Sequence, residues 1–214
     1  MRKTLFLIAI LFVSMSATTA DPPIPEDRRI TAINRALEST VIIKPQPQLR
    51  GSGFFVAPDM VLTNYHVTVQ TQGQLIVNPN KLVRGGYPRC IGTVVAEDRM
   101  NDLALVKLDT QCPKGKPLTL ADSLVAGQDA YAIGNPGKLE WIVSAGIVAR
   151  PWEDVTGQRL TLLDMRLAHG NSGGPVIDSS GKVIGVARGI YGPAAHLSAA
   201  VHLEDIRQFI EEAM

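Results

Sequence analysis

The amino-acid sequence predicts an all-β protein, built as a sandwich or a pair of barrels and ended by a C-terminal helix. Three observations carry this. About a dozen short apolar segments follow one another at near-regular spacing, each bounded by Gly, Pro or Asn. Between "PVI" and "VIGVA" stands "DSSGK", the chemistry of a hairpin turn. The last residues, "LEDIRQFIEEAM", place Leu203, Ile206, Phe209 and Ile210 on one face of a helix.

The 214 residues carry a formal charge of +1, with 45% hydrophobic and 19% charged residues, the balance of an ordinary globular chain. No basic surplus points to nucleic acid and no acidic tail to a solvating role, so bulk electrostatics does not select the partner. The basic "MRK", the apolar "TLFLIAILFV" and the small-residue "SMSATTA" read as a signal peptide over residues 1–20. Cleavage is expected after Ala20, with Ala17 as the alternative. The apolar run is shorter than the roughly 20 residues a span requires, so no membrane association is expected once it is removed. Export makes the protein periplasmic or secreted.

Residues 21–38 form an N-terminal arm. "DPPIPEDRR" is proline-rich and charged, and "ITAINRALEST" places Ile30, Ile33 and Leu37 at the spacing of a short helix. Residues 39–214 form the main domain, from "STVIIKP" through "GSGFFVAP", "MVLTNYHV", "GQLIVNP", "CIGTVVAED", "LALVKL", "DAYAIGNPG", "WIVSAGIVAR", "RLTLLDMRL" and "GPVI" to "LSAAV". No repeat or low-complexity block interrupts it.

Cys90 and Cys112 are the sole cysteines, and an oxidising compartment favours their pairing. A hairpin of "IGTVVAED" and "LALVKLDT" turning near Asn101 would set them opposite each other, so a Cys90–Cys112 disulfide is expected. No CxxC or paired-His spacing suggests a metal, and no cofactor motif appears.

The segment "HGNSGGPV" surrounds Ser172 with glycines. Nucleophilic serine chemistry needs a base, a carboxylate to orient it, and donors for an oxyanion. The N–H groups of Gly170, Asn171 and Ser172 outline such an oxyanion hole. Taken alone, the segment fits a glycine-rich turn equally well. His169 is too close in sequence to act easily as the base, and His196 and His202 flank the last strand and helix. His66 ends the apolar strand of "VLTNYHV", and Asp102 precedes the alternating strand of "NDLALVKL". The order His, Asp, Ser is that of one known triad type.

"GSGFFVAPDMVLTNYHV", "NDLALVKL" and "GNSGGPVIDSSGKVIGV" resemble the three signature blocks of trypsin-like (chymotrypsin-fold) serine proteases. They are most similar to the bacterial HtrA/Deg-type branch and its single-domain relatives. The likeness runs from about Val41 to the final helix. It implies two antiparallel six-stranded β-barrels with a C-terminal α-helix, and a catalytic His66, Asp102 and Ser172 in the cleft between them. It implies hydrolysis of peptide bonds in protein or peptide substrates through an acyl-enzyme. The chain length leaves no room for a PDZ domain after the terminal helix. Asn171 stands where digestive members carry an Asp that receives a freed N-terminal ammonium; an amide carries no charge for that ion pair, so no such zymogen switch is expected. Arg166, Leu167, Leu197, Ser198 and Ala199 match substrate-binding positions and outline a small apolar pocket for small or aliphatic side chains, with the last three on the strand expected to pair with substrate backbone. The apolar character comes from the other four: Arg166 stands where trypsins place an acid, which argues against tryptic specificity and, if it enters the pocket, favours acidic side chains; the alternative is that it points into solvent. A rival reading is a silent or resting binding module, of chaperone-like kind, on the same fold. A lipase-type esterase is disfavoured because the residues after "GNSGG" read as a hairpin, not a helix.

Overall fold

Two closed six-stranded antiparallel barrels make up the body of the computed structural model, as the resemblance implies. It describes residues 28–46, 49–69, 71, 74–80, 90–155, 157–192 and 196–214; the expected signal peptide and residues 21–27 of the arm lie outside these. Helix α1 (Arg28–Ser39) leads into β1 (Thr40–Gln46), β2 (Leu49–Ala57) and β3 (Met60–Thr63), then a single helical turn, α2 (Tyr65–Thr68). The first barrel is completed by β4 (Gln74–Pro79), β5 (Cys90–Asp98) and β6 (Leu103–Leu108), in the order β1-β2-β3-β6-β5-β4. The second contains β7 (Asp129–Gly134), β8 (Ile142–Val155), β9 (Gln158–Asp164), β10 (Pro175–Ile177), β11 (Val183–Ile190) and β12 (Leu197–Val201), in the order β10-β11-β12-β9-β8-β7. Helix α3 (Leu203–Ala213) follows.

Alternation within strands decides which core each side chain enters. In β6, Leu103 and Leu105 point to the seam between the barrels, whereas Val106 and Leu108 fill the first barrel. In β2 and β3, Phe54 and Leu62 face the seam while Phe55 and Val61 face inward. From the other side Tyr131, Ile133, Ile177 and Val186 meet them, with Ile206 and Phe209 of α3. These strands read as nearly continuous apolar runs because both of their faces are buried. The "DSSGK" hairpin forms as expected: Asp178 Oδ1 accepts from the Ser180 and Lys182 N–H groups, and Gly181 adopts φ +86°.

Two expectations are corrected. Helix α1 does not bury Ile30, which is exposed; its packed face is Ala32 and Ala36, flanked by Ile33 and Leu37. Small residues are needed there, since a Cβ on Gly181 would stand only 3.1 Å from the Ala32 methyl. The Cys90–Cys112 disulfide is not formed either: both thiols are free and buried in the first barrel. Gly92 faces Leu108 and Ala96 faces Leu105, one to two positions off the expected register, yet Cys112 still comes within hydrogen-bond reach of Cys90. Cys112 lies in the turn after β6, its N–H donating to the Asp109 carbonyl.

Burial, and next a hydrogen bond with Cys112, push the Cys90 thiol up to about 12. The thiolate is the reactive form, so the raised pKa keeps Cys90 unreactive near neutral pH. Iodoacetamide should leave the native protein unmodified and add two carbamidomethyl groups in denaturant without reductant. Intact mass reads both, and a requirement for prior reduction would show a disulfide.

Candidate active site

Strand register brings the first two predicted site residues together. Because β3 pairs with β6, Thr63 opposite Ala104, the turn after β3 lies beside the start of β6. His66 occupies that turn, in α2, and Asp102 immediately precedes β6. Asp102 adopts φ +57°, a left-handed conformation that costs a non-glycine residue on the order of 1–3 kcal/mol. Its surroundings hold it there. Asn101 is tied to Asp98 through its N–H (2.9 Å) and its amide (2.7 Å), and Asn64 Nδ2 donates to the Asp102 carbonyl at 2.9 Å.

The conformation aims the carboxylate at His66. Asp102 Oδ1 accepts the His66 backbone N–H at 2.9 Å, and Oδ2 lies 2.8 Å from Nδ1. A carboxylate accepts from Nδ1, so in the neutral ring the proton sits on Nδ1 and Nε2 carries the lone pair. The Asp102 side chain is 7% exposed and that of His66 is 47% exposed, so the acid is enclosed and the base is open to the cleft.

Ser172 reaches the same cleft from the second barrel, in the loop between β9 and β10. Its carbonyl accepts the Ser52 N–H at 2.8 Å, and the Gly173 N–H donates to the Ala187 carbonyl at 2.8 Å. Only glycine fits position 173: its φ is +85°, and a Cβ would lie 2.1 Å from the Ser52 carbonyl oxygen. The Ser52 hydroxyl donates to the Gly170 carbonyl (2.7 Å) and accepts from the N–H (3.1 Å) and side-chain amide (2.9 Å) of Asn135. The His169 carbonyl accepts the Gly137 N–H at 3.0 Å. Since the peptide is trans and planar, the Gly170 N–H points the opposite way. Among the described residues the Gly170 and Ser172 N–H groups donate to no backbone acceptor, leaving two donors beside the serine. The Ser172 hydroxyl donates to the Arg188 carbonyl at 3.0 Å rather than to His66.

His66 lines two cavities. One, of about 760 Å³, includes Tyr65, Arg99, Asp102, Arg188 and Tyr191; the other, of about 710 Å³, includes Arg50, Lys138, His169, Gly170 and Ser172. Of the expected oxyanion residues, Gly170 and Ser172 line the second cavity, whereas the Asn171 side chain is buried with its Oδ1 unpartnered.

The substrate-binding residues are only partly assembled. Ala199 lines the first cavity. Leu167 is buried in the core of the second barrel, and Arg166 is exposed. Ser198 is buried, its hydroxyl donating to the Met165 carbonyl (2.8 Å) and accepting the Leu167 N–H (3.1 Å), so it braces the wall rather than lining it. Strand β12, with Leu197, Ser198 and Ala199, is paired with β9 on one edge and β11 on the other. Its backbone is therefore committed and does not receive a substrate strand; the segment bordering the cavity is Arg188–Gly192. His202, which caps α3, is held below the usual histidine range by burial, and its ring lies 3.1 Å from the Pro151 carbonyl and 3.2 Å from the Thr161 hydroxyl. Its role is structural. Among the described residues no group of three His, Cys, Asp or Glu is placed to hold a metal.

A hydrogen-bonded His–Asp pair on one barrel and a glycine-flanked serine on the other thus border one cleft. Residues 51–186 match the trypsin-like peptidase domain, and the chain belongs to that family. It is similar to serine protease HTRA4 of Mus musculus, at 35% identity over 178 residues, covering 78% of this chain and 35% of that protein. It is also similar to a probable periplasmic serine endoprotease DegP-like of Chlamydia pneumoniae, at 34% identity over 150 residues, covering 67% and 30%. The chain thus spans about a third of the length of these relatives. The structure of the HtrA-type protease AlgW with tripeptide superposes with a TM-score of 0.74 at 26% identity, covering 86% of this chain and 62% of that one.

Several residues that build the site had no role assigned from sequence: Ser52, Asn64, Asn135, Gly137, Gln158 and Arg188. Asn64 stood in the quoted "TNYH" block, but only the left-handed Asp102 explains it. Replacing Ser52 by Ala removes three buried hydrogen bonds, leaving the Gly170 carbonyl and the Asn135 N–H only their long mutual bond of 3.4 Å and the Asn135 amide its 3.3 Å bond to the Val41 carbonyl. Each lost bond costs roughly 0.5–1.5 kcal/mol. Ser52→Ala should therefore lower unfolding stability in urea by about 2 kcal/mol.

Proposed function

We propose that this protein is an exported serine endopeptidase in which Ser172 is the nucleophile, His66 the general base and Asp102 the residue that orients it. The observation that carries this reading is the Asp102–His66 pair, which leaves Nε2 with its lone pair at the cleft that Ser172 enters. Ser172 Oγ attacks the scissile carbonyl carbon while Nε2 takes its proton. The carbonyl π pair moves to oxygen, and the Gly170 and Ser172 N–H groups stabilise that oxyanion. Collapse breaks the C–N bond, the imidazolium returns the proton to the leaving amine, and an acyl-enzyme remains. Water, deprotonated by the same nitrogen, hydrolyses the ester and regenerates the serine.

Substrates are proteins or peptides in extended form. Leu160, Ile190, Tyr191 and Ala199 around the first cavity support a preference for small or aliphatic side chains near the scissile bond. Export follows from the signal-like residues 1–20, and the relatives include a probable periplasmic enzyme. One observation favours a second, resting reading: the Ser172 hydroxyl is engaged by the Arg188 carbonyl and must turn about χ1 to reach His66.

The mature protein should react with a fluorophosphonate at Ser172 and cleave unfolded casein. Ser172→Ala should abolish labelling and reduce turnover by at least about 10³-fold. Labelling that survives the substitution sinks the assignment, whereas an inert parent protein favours the resting module.

A further inference from the structure

We infer that Arg188 is a positioning residue for the proposed triad, holding the Asp102 carboxylate from the second barrel and offsetting its charge toward His66. The inference rests on the peptidase reading of the site. Asp102 Oδ2 is shared: His66 Nδ1 lies 2.8 Å from it and Arg188 Nε 3.1 Å. The guanidinium is fixed in turn, because Nη1 donates to Gln158 Oε1 at 2.6 Å, and the Gln158 amide donates to the Met100 carbonyl. Gln158 begins β9 and Met100 lies two residues before Asp102, so the contacts close a ring across the two barrels. The carbonyl of the same Arg188 accepts the Ser172 hydroxyl. One residue therefore touches the acid through its side chain and the nucleophile through its backbone.

The charge has a consequence distinct from packing. With side-chain exposures of 31% for Arg188 and 7% for Asp102, the pair is only partly screened by water. When the base takes up a proton, it develops a positive charge beside a carboxylate that already faces a full cation. Removing that cation while keeping the carboxylate lets the ring retain a proton to higher pH. The other charged or titratable groups around His66 are unaltered by such a change. Arg99 lies over the Tyr65 ring at 5.2 Å and pairs with Glu97. On the opposite side stand Arg50, paired with Glu140, together with Lys138 and His169.

The test compares the parent protein with Arg188→Gln, whose shorter side chain can keep a donor at the place of Nε but removes charge, and Arg188→Lys, which keeps charge. NMR titration of the His66 ring is read beside the pH dependence of fluorophosphonate inactivation. In Arg188→Gln the ring midpoint and the acidic limb should both move up by about 0.5–1 pH unit, while in Arg188→Lys both should stay within about 0.3 unit of the parent. Arg188→Met carries the Gln expectation should the Gln form not fold. A neutral variant that titrates like the parent overturns the inference and leaves Arg188 an interface residue. A parent that never reacts, but whose His66 midpoint moves in the neutral variant, sinks the peptidase reading while the Arg188–Asp102–His66 coupling stands.

Discussion

The hydroxyl of Ser52 ties the Ser172 loop of the second barrel to the wall of the first. A serine hydroxyl can donate once and accept twice, and all three capacities are used, toward the Gly170 carbonyl and the two donors of Asn135. The backbone of the same residue adds two more contacts, its N–H to the Ser172 carbonyl and its carbonyl to the Thr63 hydroxyl at 2.7 Å. These bonds are buried, where an unpaired polar atom is costly, so the loop has one low-energy seat. The positions of Gly170 and Ser172 relative to His66 follow from that seat, since His66 belongs to the barrel that supplies Ser52.

The seam beneath is of a different kind. Phe54, Leu62, Leu103 and Leu105 meet Tyr131, Ile133, Ile177 and Val186 in one apolar cluster. Such packing stabilises the union of the barrels at roughly 25 cal/mol per Å² buried, but it is non-directional and sets side-chain orientation loosely. Direction comes from the polar groups at the cleft end of the same strands. Asp102 sits one residue before Leu103, and Asn64 one residue after β3 ends, so the apolar seam delivers both to the cleft and hydrogen bonds fix their aim. The strain of a left-handed Asp102 is localised where the apolar seam gives way to polar contacts, as expected for a site whose geometry is imposed by its surroundings.

The sequence made legible whatever depends on strand periodicity and local turn chemistry. Alternation in "LALVKL", the Asp178 hairpin and the terminal helix all appear in the structure where their patterns stand. His66, Asp102 and Ser172 were legible because each sits in a local motif with its own spacing. Residues whose role depends on long-range register were not. Arg188 lies 86 positions from Asp102 and Ser52 lies 118 from Gly170, and neither has a short-range signal. The same limit explains two of the three corrections. The β5–β6 register runs one to two positions off the expected hairpin, and a strand matched by position, β12, proved central to its barrel. The face of α1 went astray because close helix–turn packing selected the alanines over the larger Ile30.

Asn171 shows how the two kinds of constraint meet. Its N–H donates to the Ala168 carbonyl at 3.0 Å and its own carbonyl accepts the Gly174 N–H at 2.9 Å, so its backbone closes the turn from both ends. The side chain is buried against β7, where a Cβ on Gly134 would lie 2.6 Å from Oδ1. A charged carboxylate in this place would need a buried cation to offset its desolvation, whereas a neutral amide carries a much smaller penalty. The turn around Ser172 is thus braced by backbone bonds, by Ser52 and by Gly137, each supplied from within the two barrels. Its order requires no buried ion pair, which is why an amide can stand beside Ser172.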